Sequence, residues 1–110
     1  MVEYTTEMNF GAGGMVELDT IFGVLSDSTR RDMLRRIAND RLTVSELAQP
    51  YDLTVAAISK HLKVLERAGF IVKRREGRKQ YIYPATAGFK DAADWMEYYR
   101  NFWEGIDGLK

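Results

Sequence analysis

Two short helical segments joined by a tight turn, with a basic hairpin directly after them, leave this chain few folds to choose from. Thr43-Val44-Ser45-Glu46 has the form of a capping box, in which the threonine and glutamate satisfy each other's backbone amides. A short helix follows through Leu47 and Ala48. Pro50 disfavours helical geometry at the residue before it and stops that helix. Tyr51-Asp52-Leu53 is the connection, and Thr54 can cap what comes next. The spacing predicts a second helix from about Val55 to Ala68, with Val55, Ile58, Leu62 and Leu65 as its inner stripe. Gly69 stands where a helix-ending glycine is expected. The second helix is the longer and more basic of the pair. That is the layout of a helix-turn-helix, whose second helix enters the major groove.

The hairpin adds a wing. Phe70 to Arg75 reads as a strand, with Phe70 and Val72 on one face. Glu76-Gly77-Arg78-Lys79 is the turn, and Gln80 to Tyr83 is the return strand, Tyr81 and Tyr83 alternating with Ile82. Upstream, Leu18, Ile21, Phe22 and Leu25 mark one apolar helix face. Asp27 caps a following helix that buries Met33, Leu34 and Ile37 and carries Arg30, Arg31, Arg35 and Arg36. Pro84 closes the hairpin. A last helix runs from about Phe89 to the end, with Trp95, Tyr98, Tyr99, Phe102, Trp103 and Ile106 at helical spacing. The expected fold is therefore mainly α with a small β-hairpin: a winged helix-turn-helix of about five helices plus a two-stranded wing. Residues 1–14 are expected to be a flexible tail, ending in Gly11-Ala12-Gly13-Gly14, and residues 15–110 one DNA-binding and dimerisation domain.

Charge decides whether such a fold suits nucleic acid. The chain of 110 residues has a formal net charge of zero, which alone argues against it. The distribution argues for it. Residues 1–29 carry five acids and no bases, whereas residues 60–80 carry eight Lys or Arg against Glu66 and Glu76. A phosphate backbone responds to the local field and not to the total. There is no cysteine and one histidine, His61, so disulfides, thiol chemistry and cysteine-ligated metals are excluded, and no metal site or cofactor is expected. No apolar run reaches the ~20 residues of a membrane span. No secretory pattern opens the chain, so a cytoplasmic protein is expected. No paired carboxylates, phosphate-cradling glycines or nucleophile-base pair are legible. No catalytic residue and no enzyme is expected.

The candidate DNA-contacting residues are Thr54, Ala56, Ala57, Ser59, Lys60, His61 and Lys63 on the second helix, with Arg74, Arg75, Arg78 and Lys79 on the wing. Small alanines let a helix approach base edges, and their methyls can meet thymine; they are also plain helix formers. Lys60 and Lys63 suit phosphate oxygens or guanine acceptors. His61 could donate to a phosphate, or be a partly packed surface histidine. The wing arginines suit the backbone or the minor groove, and they also protect an exposed strand edge. The aromatic stripe of the last helix reads as core, as a dimer interface centred on Trp95, Tyr99 and Trp103, or as a small-molecule pocket. The competing reading of the whole chain is a winged-helix protein-interaction module without DNA binding.

Leu25-Ser26-Asp27-Ser28-Thr29-Arg30-Arg31, Ser45-Glu46-Leu47-Ala48, and Ile58-Ser59-Lys60-His61-Leu62-Lys63-Val64-Leu65 through Ala68-Gly69 resemble the ArsR family of bacterial winged-helix repressors. Tyr98-Tyr99-Arg100-Asn101-Phe102-Trp103-Glu104 resembles the subgroup with an aromatic last helix and no metal ligands. The resemblance implies a homodimer formed by the first and last helices. Leu18, Ile21, Phe22, Trp95, Tyr98, Tyr99, Phe102, Trp103 and Ile106 would be its interface. It implies binding to a palindromic double-stranded operator, with Ser59 and His61 in the major groove, and repression of its own or a neighbouring operon. The founding members sense metals through cysteines or through histidines of the last helix. Neither set is here, so that role is not carried over. An inducer, if there is one, would be a small molecule bound at the aromatic helix.

Overall fold

Three helices of the chain begin where a side chain takes up a free amide of the first turn: those capped by Asp27, Thr43 and Thr54. A computed structural model describes residues 17–108, with side chains through Gly105; the tail expected over residues 1–14 lies outside the described residues. The elements run α1 (Leu18–Leu25), α2 (Ser28–Asn39), β1 (Leu42–Thr43), α3 (Val44–Ala48), α4 (Val55–Arg67), β2 (Ile71–Glu76), β3 (Lys79–Pro84), α5 (Ala87–Tyr98) and α6 (Arg100–Gly108). Asp27 accepts from the Arg30 amide at 2.9 Å, and Thr54 accepts from the Ala57 amide at 3.0 Å. Between them Thr43 and Glu46 close the capping box, with bonds of 2.9 and 3.1 Å.

The helix-turn-helix is α3 and α4, and the wing is β2 and β3. This is the winged helix-turn-helix expected from the sequence, with differences of detail. The sheet has three antiparallel strands in the order β1-β3-β2, because Leu42 and Thr43 pair with Ile82 and Tyr81. Two residues are too few to show a period, and Thr43 shows itself in the sequence only as a cap. The last helix is two helices, parted at Tyr99 (φ −102°, ψ 4°). Its N–H turns to the carbonyl of Met96, three residues back, and its ring meets that of Tyr98 edge to face at 4.9 Å. Consecutive residues of an unbroken helix do not face each other in that way.

The core gathers one face of every layer: Ile21, Met33, Leu47, Leu62, Leu65, Phe70, Ile71 and Ile82 are fully buried, each contributing roughly 1.5–3 kcal/mol of apolar burial. Val55 is not among them. It is 83% exposed, because the first position of α4 lies a full turn before Ile58 and overshoots the core. Val72 likewise faces out while Phe70 is buried. The register sets Ile71 opposite Pro84 and Lys73 opposite Ile82, so the inward set on β2 is odd-numbered, and Phe70 belongs to the joint before the strand.

That joint is tightly specified. Gly69 has φ +80°, the left-handed conformation that glycine adopts freely. The Phe70 N–H reaches the Leu65 carbonyl at 3.0 Å and the Gly69 N–H reaches Glu66 at 3.1 Å, the paired bonds of a Schellman ending. α5 docks on the same joint: the Gly88 N–H bonds the Gly69 carbonyl at 2.9 Å, and a Cβ at Gly88 would stand 2.7 Å from the Ala68 carbonyl oxygen. The last long helix, the recognition helix and the wing thus meet at one point.

Candidate nucleic-acid interface

α4 turns Ile58, Leu62 and Leu65 inward, which fixes what it shows to solvent. Thr54, Ala56, Ser59, Lys60 and Lys63 are exposed, and Ala57 and His61 are half-buried. Arg74, Arg75, Arg78 and Lys79 are all exposed along the wing. The structure therefore brings the expected DNA-contacting residues to one helix face and one hairpin. His61 stands apart from the rest. Its Nδ1 is buried with no hydrogen-bond partner, and it lies close enough to Asp27 for its charge to act on that carboxyl. The Asp27 carboxyl is held below its ordinary range first by the Arg30 amide, with Arg30 and His61 adding to the effect.

The arginines of α2 are used differently, and sequence reasoning missed how. Arg30 Nε donates to the Val24 carbonyl at 3.0 Å and its Nη2 to Gly23 at 3.2 Å. Arg31 Nη1 donates to Leu25 at 2.7 Å. Arg36 donates to the carbonyls of Leu47 (2.7 Å) and Glu46 (3.2 Å). These are carbonyls of the last turns of α1 and α3, which lack partners within their own helices. The guanidinium fork and the negative end of the helix dipole make arginine suited to them.

Arg41 forms a strap over the outer face of the wing sheet. Its guanidinium lies 3.8 Å from the centre of the Tyr81 ring, pairs with Glu76, and donates to the Tyr83 hydroxyl at 3.2 Å. Tyr83 donates to Glu76 at 2.6 Å, and this bond, together with Arg41, holds the Glu76 carboxyl below its ordinary range. Between the wing turn and the start of α3 is an open cleft of about 420 Å³, lined by Thr43, Val44, Ser45, Glu46, Arg78, Lys79 and Gln80.

The second expected surface is partly corrected. Leu18 and Ile21, expected at a dimer interface, are 9% and 0% exposed. They belong to the protomer's own core, because α1 packs that edge on its own chain. Phe22 is 37% exposed and meets Trp95 edge to face at 5.8 Å. Trp95 packs against the core and stacks on Tyr99 at 4.9 Å. Tyr98, Tyr99, Phe102 and Trp103 are exposed, and the side chain of Ile106 lies outside the described residues. Among the described residues no three metal-ligating side chains gather, and no helix is long and apolar enough to cross a membrane.

Residues 25–74 match the family model described as a helix-turn-helix domain, the stretch from the α1 end to the outgoing wing strand. The transcriptional repressor SdpR of Bacillus subtilis is 29% identical over 79 residues, covering 72% of this chain and 88% of that protein. The arsenic resistance transcriptional regulator ArsR1 of Pseudomonas putida is 36% identical over 89 residues, covering 76% of this chain and 70% of that protein. Among solved structures, an ArsR family transcriptional regulator superposes with a TM-score of 0.71 at 34% identity, covering 79% of this chain and 90% of its own.

Proposed function

The chain belongs to the ArsR family of DNA-binding transcriptional regulators, and on that premise we propose that it is a homodimeric, sequence-specific repressor of its own or a neighbouring operon. α4 enters the major groove of each half of a palindromic operator. Ser59, Lys60 and Lys63 face bases and phosphates, Ala56 and Ala57 let the helix approach, and His61 reaches a phosphate through its second ring nitrogen. Arg74, Arg75, Arg78 and Lys79 follow the backbone or the minor groove beside it. Residues 15–110 form the one domain that does both jobs. The dimer forms through Phe22 and the aromatic side chains of α5 and α6, whose exposure on a single protomer favours a covered surface. Two half-sites about 34 Å apart, one helical turn, follow from such symmetry.

The observation that carries the reading is where the unpaired cations lie. Among the described residues, Lys60, Lys63, Arg67, Arg74, Arg75, Arg78 and Lys79 have no acidic partner within salt-bridge distance, and all sit on the recognition helix or the wing, whereas Arg30, Arg31 and Arg36 of α2 donate to backbone carbonyls. The test is fluorescence anisotropy against duplexes selected from a random pool, at several salt concentrations. The log affinity should fall with log salt at about −0.9 per phosphate contacted. Replacing Arg74, Arg75 and Arg78 together by alanine should flatten that slope by up to about 5, three contacts from each of the dimer's two wings. A slope near zero for the unaltered protein, or no change in the triple variant, would refute it.

A further inference from the structure

Val55 is the most exposed large apolar side chain among the described residues, at 83%. Nothing in the protomer explains it. It belongs neither to the buried core nor to the partly buried residues packed on it. A β-branched residue is also a poorer helix former than alanine. Its position is informative. Val55 is the first residue of α4, at the end of a recognition helix that reaches deepest toward base edges. It shares one row of the helix surface with Ser59 and Lys63, four and eight residues on, beside the row of Ala56 and Lys60. Thr54, just before it, is committed to capping, and the first turn carries no acid.

A valine in that place can offer a base pair only apolar contact. The edges exposed in the major groove present donors, acceptors and one apolar feature, the C5 methyl of thymine. Lys63 on the same row and Lys60 on the next supply the charge that would bring the helix to DNA. We infer that Val55 is a specificity-determining residue that selects thymine at one position of each half-site, by packing its methyls against the C5 methyl. This rests on the DNA-binding reading above.

The test uses the full chain and the best duplex it selects from a random pool. Each thymine is replaced in turn by deoxyuridine, which removes the methyl and leaves every hydrogen-bonding group in place. One thymine per half-site should show a loss of about fourfold, the worth of one buried methyl. In Val55→Ala, whose exposed site and better helix former leave the protein folded and no less stable, that loss should shrink below about 1.5-fold while Ser59→Ala retains it. Undiminished uridine sensitivity in Val55→Ala, or a flat scan in the unaltered protein, would overturn the assignment while leaving salt-dependent, selective binding intact. An unaltered protein that selects no sequence would overturn the DNA-binding reading and the assignment with it.

Discussion

Arg36→Ala should cost this protein about 2–3 kcal/mol, whereas Arg35→Ala, one residue away, should cost almost nothing. Arg36 donates to the Leu47 carbonyl at 2.7 Å and to the Glu46 carbonyl at 3.2 Å, and its guanidinium carbon stands 5.3 Å from the centre of the Tyr51 ring. Hydrogen bonds to a charged group contribute about 1.5–3 kcal/mol, and a half-exposed cation over a ring about 0.5–1. The bond to Glu46 is open to solvent, so water takes over part of what is lost there, which brings the total down to the stated range. α3 is a five-residue helix with no stability of its own, and Arg36 ties its last turn to α2. Among the described residues Arg35 pairs only with Asp32, across side chains 65% and 39% exposed, and such surface pairs contribute roughly 0–1 kcal/mol. Urea unfolding followed by circular dichroism measures both, at one protein concentration, because the apparent stability of the proposed dimer would depend on it. The Arg36 variant should melt on the order of 10–15 °C lower. Arg36→Lys should recover less than half, since an ammonium cannot span two carbonyls as the fork does. Equal and small losses at both positions would refute the assignment of Arg36 to the α3 carbonyls.

Gly88→Ala should destabilise by about 2–3 kcal/mol, since its Cβ would meet the Ala68 carbonyl oxygen at 2.7 Å and the Phe70 ring at 2.9 Å and the crowded atoms include backbone. Gly77→Ala in the wing turn, at φ +69° with nothing within 4 Å, should cost only the left-handed penalty of about 1–2 kcal/mol, and Gly77→Asn less. Asp91 is 4% exposed, and burial, with the Asp94 charge adding, raises its carboxyl above the ordinary 3.8. The folded state therefore holds that proton more tightly than the unfolded chain, so this group adds stability as pH falls through its raised value toward 3.8 and penalises the fold above it. Asp91→Asn should raise the melting temperature at pH 7 and remove that part of the pH dependence; a variant that melts lower at pH 7 with the dependence intact would contradict it.

What could be read from the sequence was local chemistry. Asp27, Thr43 with Glu46, and Thr54 all cap as their side chains dictate, because a cap is decided within three residues. Gly69 ends α4 for the same reason. The wing was legible from alternation around Ile82. What could not be read depends on where elements end up relative to each other. Val55 fits the inner stripe by spacing, yet it overshoots the core by one turn. Leu18 and Ile21 carry the right pattern for a buried face, but the pattern does not say whether the protomer or its partner buries it. The arginine bonds to Val24, Leu25 and Leu47 join residues six to eleven positions apart across helix junctions whose angle no period reveals. The break at Tyr99 has neither glycine nor proline to announce it.

A net charge of zero and an affinity for phosphate are reconciled by what the fold does with each charge. Three arginines of α2 are turned onto helix-end carbonyls. Three of the acids near the candidate interface are engaged too, while Asp52 in the turn is exposed. Glu46 closes its own capping box, Glu66 meets Lys73 at 3.5 Å, and Glu76 is held by Arg41 and Tyr83. The cations beside them, Lys60, Lys63 and Arg67 on α4 and Arg75, Arg78 and Lys79 on the wing, are exposed and meet no acid within salt-bridge distance among the described residues. Charges paired at short range cancel within a few ångströms, whereas unpaired ones project a field about a Debye length, ~8 Å, into the solvent. A phosphate approaching α4 and the wing therefore meets a positive surface, and the acids that balance it in the total lie elsewhere or are already neutralised.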